Sequence, residues 1–175
     1  MERSKTCCFS GHEPGKHMRN GYFSNDEMKM DLRNRIDTEI KKTLEDGYTH
    51  FISGMGLGCD ILFAQRVLVA REVLTQYDIT LECVLPGVMH YYKWSKAEVK
   101  ELMRILNQAD TVTKISRGLP TQETLLKRNK YMVDKSSRLI AVYALYNEKA
   151  ANSETRRTIN MASDKSVQTQ IIDVC

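Results

Sequence analysis

The stretch THFISGMGLGCDILFAQRVLV, residues 49–69, sets three glycines within five positions between an apolar run and a helical pattern. The run at 50–53 reads as a short strand, and the residues from Cys59 to about Gln76 read as a helix that is apolar over a wide arc. The glycines therefore form a strand-to-helix turn. Glycine admits positive φ and lets backbone approach a ligand closely. Amides at a helix start lack intrahelical partners and make a ready anion site. The expectation is that the backbone nitrogens of Ser53, Gly54, Met55, Gly56, Leu57 and Gly58 face an open crevice, with Asp60 in the first helical turn beside them. An aspartate there also suits the helix dipole. The spacing is G-x-G-x-G, not the G-x-G-x-x-G dinucleotide fingerprint, and no acidic residue ends the next strand, so neither NAD nor any other cofactor is expected.

Outward from this turn the same alternation repeats. Strand-like runs lie at 5–10, 50–53, 79–85, 111–115, 138–143 and 168–172. Between them, Met28, Leu32, Ile36, Ile40 and Leu44 recur every four residues on a first amphipathic helix. A later helix at 96–108 sets Val99, Leu102, Met103 and Leu106 on one face, and two more cover 122–135 and 154–163. Ser24 with Glu27, and Ser95 with Glu98, match the S-x-x-E capping box, and Gly47 stands where the first helix should end. Six strands alternating with five helices predict one α/β domain over residues 1–175: a Rossmann-like, doubly wound, mainly parallel sheet with helices on both faces. Ligands of such sheets bind outside the carboxyl ends of the strands. The segments to inspect are thus 11–25, 54–60, 86–94, 116–121 and 144–153.

Bulk composition narrows the classes. The 175 residues carry 26 basic and 22 acidic side chains for a net charge of +4, too balanced to argue for nucleic acid on its own. No apolar run is long enough to cross a bilayer and no secretory leader is read at the N-terminus, so a soluble, cytoplasmic protein is expected. Of the five cysteines, Cys7, Cys8 and Cys83 fall in apolar runs, while Cys59 and Cys175 complete an odd set without CxxC or CxxH spacing; no metal site is expected.

Ser53, Gly54, Gly56, Gly58, Asp60 and Ala64 form S-G-x-G-x-G-x-D-x-x-x-A, which resembles the signature of the SLOG superfamily. That superfamily of Rossmann-like domains includes the DNA-processing protein DprA (Smf) and the LOG nucleotide hydrolases. "TCCFSGHEPGK" at the first strand, "YYKWS" after the third and "KRNKYMVDKSSRLIAVY" leading into the fifth make the chain similar to the YpsA-like bacterial branch. The resemblance implies a Rossmann-like fold and a nucleotide-type ligand, without implying a reaction.

Two departures qualify it. Where relatives carry S/T-G-H-R-P, this chain has Ser10-Gly11-His12-Glu13-Pro14, an anion replacing a cation, with Lys16, His17 and Arg19 nearby. Where relatives place a G-G-T turn before the last helix, it has Ser153-Glu154-Thr155. Asn152 or Ser153 can cap that helix, but Glu154 would repel a phosphate. Further ligand-binding candidates are Lys93, beside Trp94, and Arg128, Asn129 and Asp134 on the fourth helix. Trp94 suits either stacking on a base or packing onto its own helix as a staple.

Three functions stay open beside a purely structural or partner-binding role with a degenerate pocket, for which the missing G-G-T turn is the best support. The first is a nucleotide-binding or sensing module. The second is a nucleotide N-glycosidase of the LOG type, for which Asp60, Asp134 and Glu154 are the available acids, although the P-G-G-x-G-T-x-x-E signature is missing. The third, less favoured, is DprA-like single-stranded nucleic-acid binding through Lys41, Lys42, Arg156 and Arg157. A homo-oligomer is compatible with all three.

Overall fold

The computed structural model describes residues 5–13 and 25–174. Pro14, Lys16, His17, Arg19, Ser24 and Cys175 lie outside the described residues. Six strands, β1 (Thr6–Gly11), β2 (His50–Ser53), β3 (Thr80–Leu85), β4 (Thr111–Lys114), β5 (Arg138–Tyr143) and β6 (Gln168–Asp173), form one all-parallel sheet in the order β4-β3-β2-β1-β5-β6. Among the described residues five α-helices connect them: α1 (Asp26–Glu45), α2 (Cys59–Val73), α3 (Lys96–Gln108), α4 (Gln122–Lys135) and α5 (Glu154–Asp164). A short 3₁₀ helix at Glu148–Asn152 occupies the loop before α5. This is the doubly wound Rossmann-like arrangement expected from the sequence.

Strand composition explains the order. β1, β2 and β5 are buried almost throughout, as parallel strands covered on both faces must be. β4, with Thr111, Val112 and Lys114 exposed, and β6, with Gln168 and Gln170 exposed, are the polar edges. From β1 the chain walks outward to β4, then returns to the other side of β1 for β5 and β6. Right-handed crossovers accordingly place α1, α2 and α3 together on one face and α4 and α5 on the other.

Under α2 the core closes on aromatic rings. Phe9 stacks on Phe63 at 4.3 Å and Phe51 meets Phe63 edge-on at 6.0 Å. The α1 stripe of Leu32, Ile36, Ile40 and Leu44 is buried, with Met28 packed at its margin. On α3 the buried pair is Leu102 and Ile105, while Met103 is 37% exposed. That corrects the expected face: α3 packs on α2 along an i, i+3 line continuing to Ala109, which turns Met103 outward.

Caps follow their local chemistry. Asn25 caps α1 by accepting from Met28 N at 3.0 Å, the role expected of Ser24. Gly47 (φ 88°) ends α1 in a Schellman motif, with Tyr48 N donating to Thr43 O and Gly47 N to Leu44 O. The Ser95–Glu98 capping box forms as read, and Ser153 caps α5. No helix among the described residues is long and apolar enough to cross a membrane.

Candidate functional site

The return from β4 to β5 makes a topological switch between β1 and β5, and a cleft of about 730 Å³ opens outside the strand ends there. It draws residues from the loops after β1, β2, β3 and β5 and from the first turns of α4 and α5. His12 is buried in its wall, and its Nε2 accepts from Ala144 N at 3.3 Å, joining the two chain segments that diverge at the switch. Ser10 and Thr155 are likewise almost fully buried and line the cleft. At the rim, Val88 N donates to Gly118 O, which ties the loop after β3 to the loop after β4.

The glycine turn forms the floor, and its own chain has filled part of it. Asp60 Oδ1 accepts from Gly11 N and Oδ2 from Gly56 N, each at 3.1 Å. A Cβ on Gly56 would stand 3.0 Å from Asp60 Oδ2, and one on Gly54 would stand 3.1 Å from the Arg128 guanidinium and 3.2 Å from Asp60 Oδ2. A Cβ on Gly11 would meet the Cys59 Cβ at 2.3 Å. These glycines are thus accounted for by close approach of the protein's own groups. The expectation that the turn's nitrogens face an open crevice is corrected at Gly56, whose amide donates to Asp60, and at Met55, whose amide donates to Ser53 Oγ at 3.3 Å. Burial pushes the Asp60 carboxyl up to about 6, against the opposing pull of the Arg128 charge and of the two amides.

Arg128 joins the two helical layers. Its Nη1 donates to Gly54 O at 2.9 Å, while Nε and Nη2 donate to Asn129 Oδ1 at 3.0 and 2.8 Å. Asn129 Nδ2 in turn donates to Glu154 Oε2 at 3.2 Å. Glu154 Oε1 receives Gln122 Nε2 and Arg157 Nη1. The carboxylate expected to repel a phosphate is thereby held by three donors at the cleft wall.

On the β3 side, His90 Nε2 lies 3.2 Å from Met55 O and donates to it. That leaves Nδ1 without a partner and without a proton, in line with burial holding this imidazole below its ordinary pKa. Met55 itself is buried with φ 54°, a left-handed conformation in a non-glycine residue. Trp94 meets His90 edge-on at 5.3 Å and packs partly on the core, in keeping with the packing role expected of it. Exposed Lys93 lies over the Tyr92 ring at 5.3 Å, at the cleft's mouth.

Residues 7–175 match the YpsA family, described as the YspA SLOG family. The chain belongs to that family. Among solved structures it is similar to DNA processing protein A from Helicobacter pylori, at 13% identity and a TM-score of 0.60 over 95% of this chain and 64% of that one. DNA processing protein A from Streptococcus pneumoniae is similar at 12% identity and a TM-score of 0.59 over 96% and 50%. At these identities the likeness is one of fold, and the chain spans less than two thirds of either protein. No curated protein matches the sequence.

Within this YpsA-family chain, Ser10, Gly11, His12, Gly56, Leu57, Asp60, Lys93, Arg128, Glu154 and Thr155 meet at the cleft. Ser53 is buried beneath it, donating its hydroxyl to Asp60 O, and Gly58 faces a separate groove between α1, α2 and α3. Asn129 is 1% exposed and acts through Arg128 and Glu154. Asp134 is not at the site. It pairs with Lys130 and Lys165 at the far end of α4, about 18 Å along the helix from Gln122 at 1.5 Å rise per residue. His90 and Gln122 are cleft residues that sequence reasoning passed over. His90 falls in the flagged segment 86–94, but nothing in its spacing sets it apart.

Proposed function

We propose that the cleft binds a nucleotide or nucleotide derivative, and that the protein is a binding or sensing module working in the cytoplasm. The observation that carries this reading is the cleft of about 730 Å³ at the β1/β5 switch, a volume within the range of small-molecule sites. Its wall offers the Trp94 and His90 rings beside Lys93, an aromatic surface next to a cation. The N-glycosidase alternative draws less support, because the P-G-G-x-G-T-x-x-E signature is missing and Glu154 is held by three donors. Titration calorimetry against nucleoside phosphates, ADP-ribose derivatives and cyclic dinucleotides tests the reading. Binding is expected below millimolar concentration; no heat from any of them at millimolar concentration overturns it.

A second reading is favoured by one feature. Tyr92 and Tyr146, 60% and 84% exposed, follow β3 and β5 at the same sheet edge, with Lys93 over the Tyr92 ring and lining the cleft. Such an arrangement suits stacking of successive bases of a single strand, and the similar Helicobacter pylori protein has a described single-stranded DNA binding mode. A gel shift with single-stranded oligonucleotides that weakens steeply with salt would support it. Unshifted DNA at low salt would count it out.

A further inference from the structure

We propose that Asp60 makes the floor of the cleft a receptor for ribose hydroxyls, so that the ligand enters sugar first and its phosphate points outward to Lys93. The inference rests on the nucleotide reading above and says which end of the ligand meets the glycine turn. An ionised carboxylate has about four acceptor positions. The Gly11 and Gly56 amides use two, one on each oxygen, and Asp60 still borders the open cleft. The remaining positions, one per oxygen, suit the two adjacent hydroxyls of a ribose, which are donors.

A phosphate has no comparable place there. At this floor it would find the Gly11 and Gly56 amides already donating to Asp60, and it would stand against that carboxylate. The second corner is closed in the same way, because Glu154 takes the side chains of Gln122, Asn129 and Arg157. The glycine turn, where an anion site was expected, and the Ser153–Thr155 corner, where relatives carry G-G-T, therefore both hold this chain's own carboxylates. Glu13 lines the same floor. Arg128 does not reverse the balance, since its guanidinium is buried and spends three donor contacts on Gly54 O and Asn129 Oδ1. Lys93, by contrast, is exposed, lines the mouth of the cleft and makes no ion pair among the described residues. Anions on the floor and a cation at the rim orient a nucleotide with its hydroxyls inward.

Calorimetric titration with the four ribonucleoside 5′-monophosphates, their 2′-deoxy counterparts, the free nucleosides and pyrophosphate tests the orientation. The best ribonucleotide is expected to bind at least tenfold more tightly than its deoxy form, because a hydroxyl-to-carboxylate hydrogen bond is among the stronger kinds. Pyrophosphate is expected neither to bind nor to displace it. Lys93→Ala, a surface change that leaves the fold intact, should weaken the monophosphate several-fold and leave the nucleoside unchanged. Asp60→Asn should erase the ribose preference. Equal affinity for ribo and deoxy forms, or displacement by pyrophosphate, would overturn the inference and leave the nucleotide reading standing. No binding by any nucleotide or nucleoside would overturn both.

Discussion

Arg128 on α4 donates to the carbonyl of Gly54 across the sheet edge, at 2.9 Å, with its guanidinium where a Gly54 side chain would stand. The glycine turn of one helical layer is in this way held from the other. Gly54→Ala must displace either this guanidinium or Asp60 Oδ2, both fixed by other hydrogen bonds. A loss of about 1–3 kcal/mol in urea unfolding is expected, as for other overpacked sites. Gly47→Ala serves as the contrast. A Cβ there meets nothing within 4 Å, so the only cost is its left-handed backbone, about 1 kcal/mol. Equal and negligible losses for both would show that the Arg128 contact does not constrain the turn.

Gly11→Ala is expected to be worse, because the clash at 2.3 Å is with the Cβ of Cys59, fixed in the first turn of α2. Cys59→Gly in the same chain should restore much of the lost stability, whereas Cys59→Ala, which keeps the Cβ, should restore none. A double-mutant cycle by thermal melting reads the coupling directly. Additive effects would reject the contact as the cause.

Asp60 predicts a pH dependence. Its folded-state value of about 6 stands above the 3.8 of the free side chain, so the folded chain holds the proton longer than the unfolded one. Its contribution is fully favourable below about pH 4 and is lost as pH rises through 6, by about 3 kcal/mol at 1.36 kcal/mol per pKa unit. Asp60→Asn carries no such proton. The stability difference between wild type and variant, followed by urea midpoints from pH 4 to 7, should shift in the variant's favour as pH rises. Parallel profiles would mean that burial does not raise this carboxyl.

A separate polar cluster lies under the β2–β3–β4 side of the sheet. Glu82 accepts from Thr113 Oγ1 at 2.6 Å and Tyr131 OH at 2.9 Å, and lies 3.4 Å from His50 Nε2. Burial pushes this carboxyl up, but the hydrogen bonds from His50, Thr113 and Tyr131 outweigh it and hold it below the ordinary glutamate value. Tyr131→Phe should cost about 1–2 kcal/mol and raise the Glu82 pKa, measured by side-chain NMR titration. An unchanged Glu82 titration would remove Tyr131 from the cluster.

Local pattern alone was enough for the architecture. Continuous apolar runs such as Cys7-Cys8-Phe9 and Leu139-Ile140-Ala141-Val142 read as strands, and the structure sets them inside the sheet with the polar Thr111–Lys114 and Gln168–Gln170 at its edges, because parallel strands are covered on both faces only inside the sheet. The helix at 96–108, the Gly47 stop and the Ser95–Glu98 box follow from contacts within a few residues, which spacing encodes directly. Topology then carried most of the candidate residues to one cleft, while Ser53 and Asn129 lie buried behind it, Gly58 faces a separate groove and helix length takes Asp134 to the opposite edge.

What the glycine turn holds was decided only in three dimensions. Gly11 meets Asp60 across 49 residues of chain, Gly54 meets Arg128 across 74, and His12 meets Ala144 across 132. A G-x-G-x-G spacing reports that something must come close to the backbone, whether a ligand or the protein's own side chains. Hydrogen-bond partners so distant in sequence leave no periodic trace, so only the folded chain shows that the carboxylate of Asp60 fills two of the amides and leaves the rest of the cleft open.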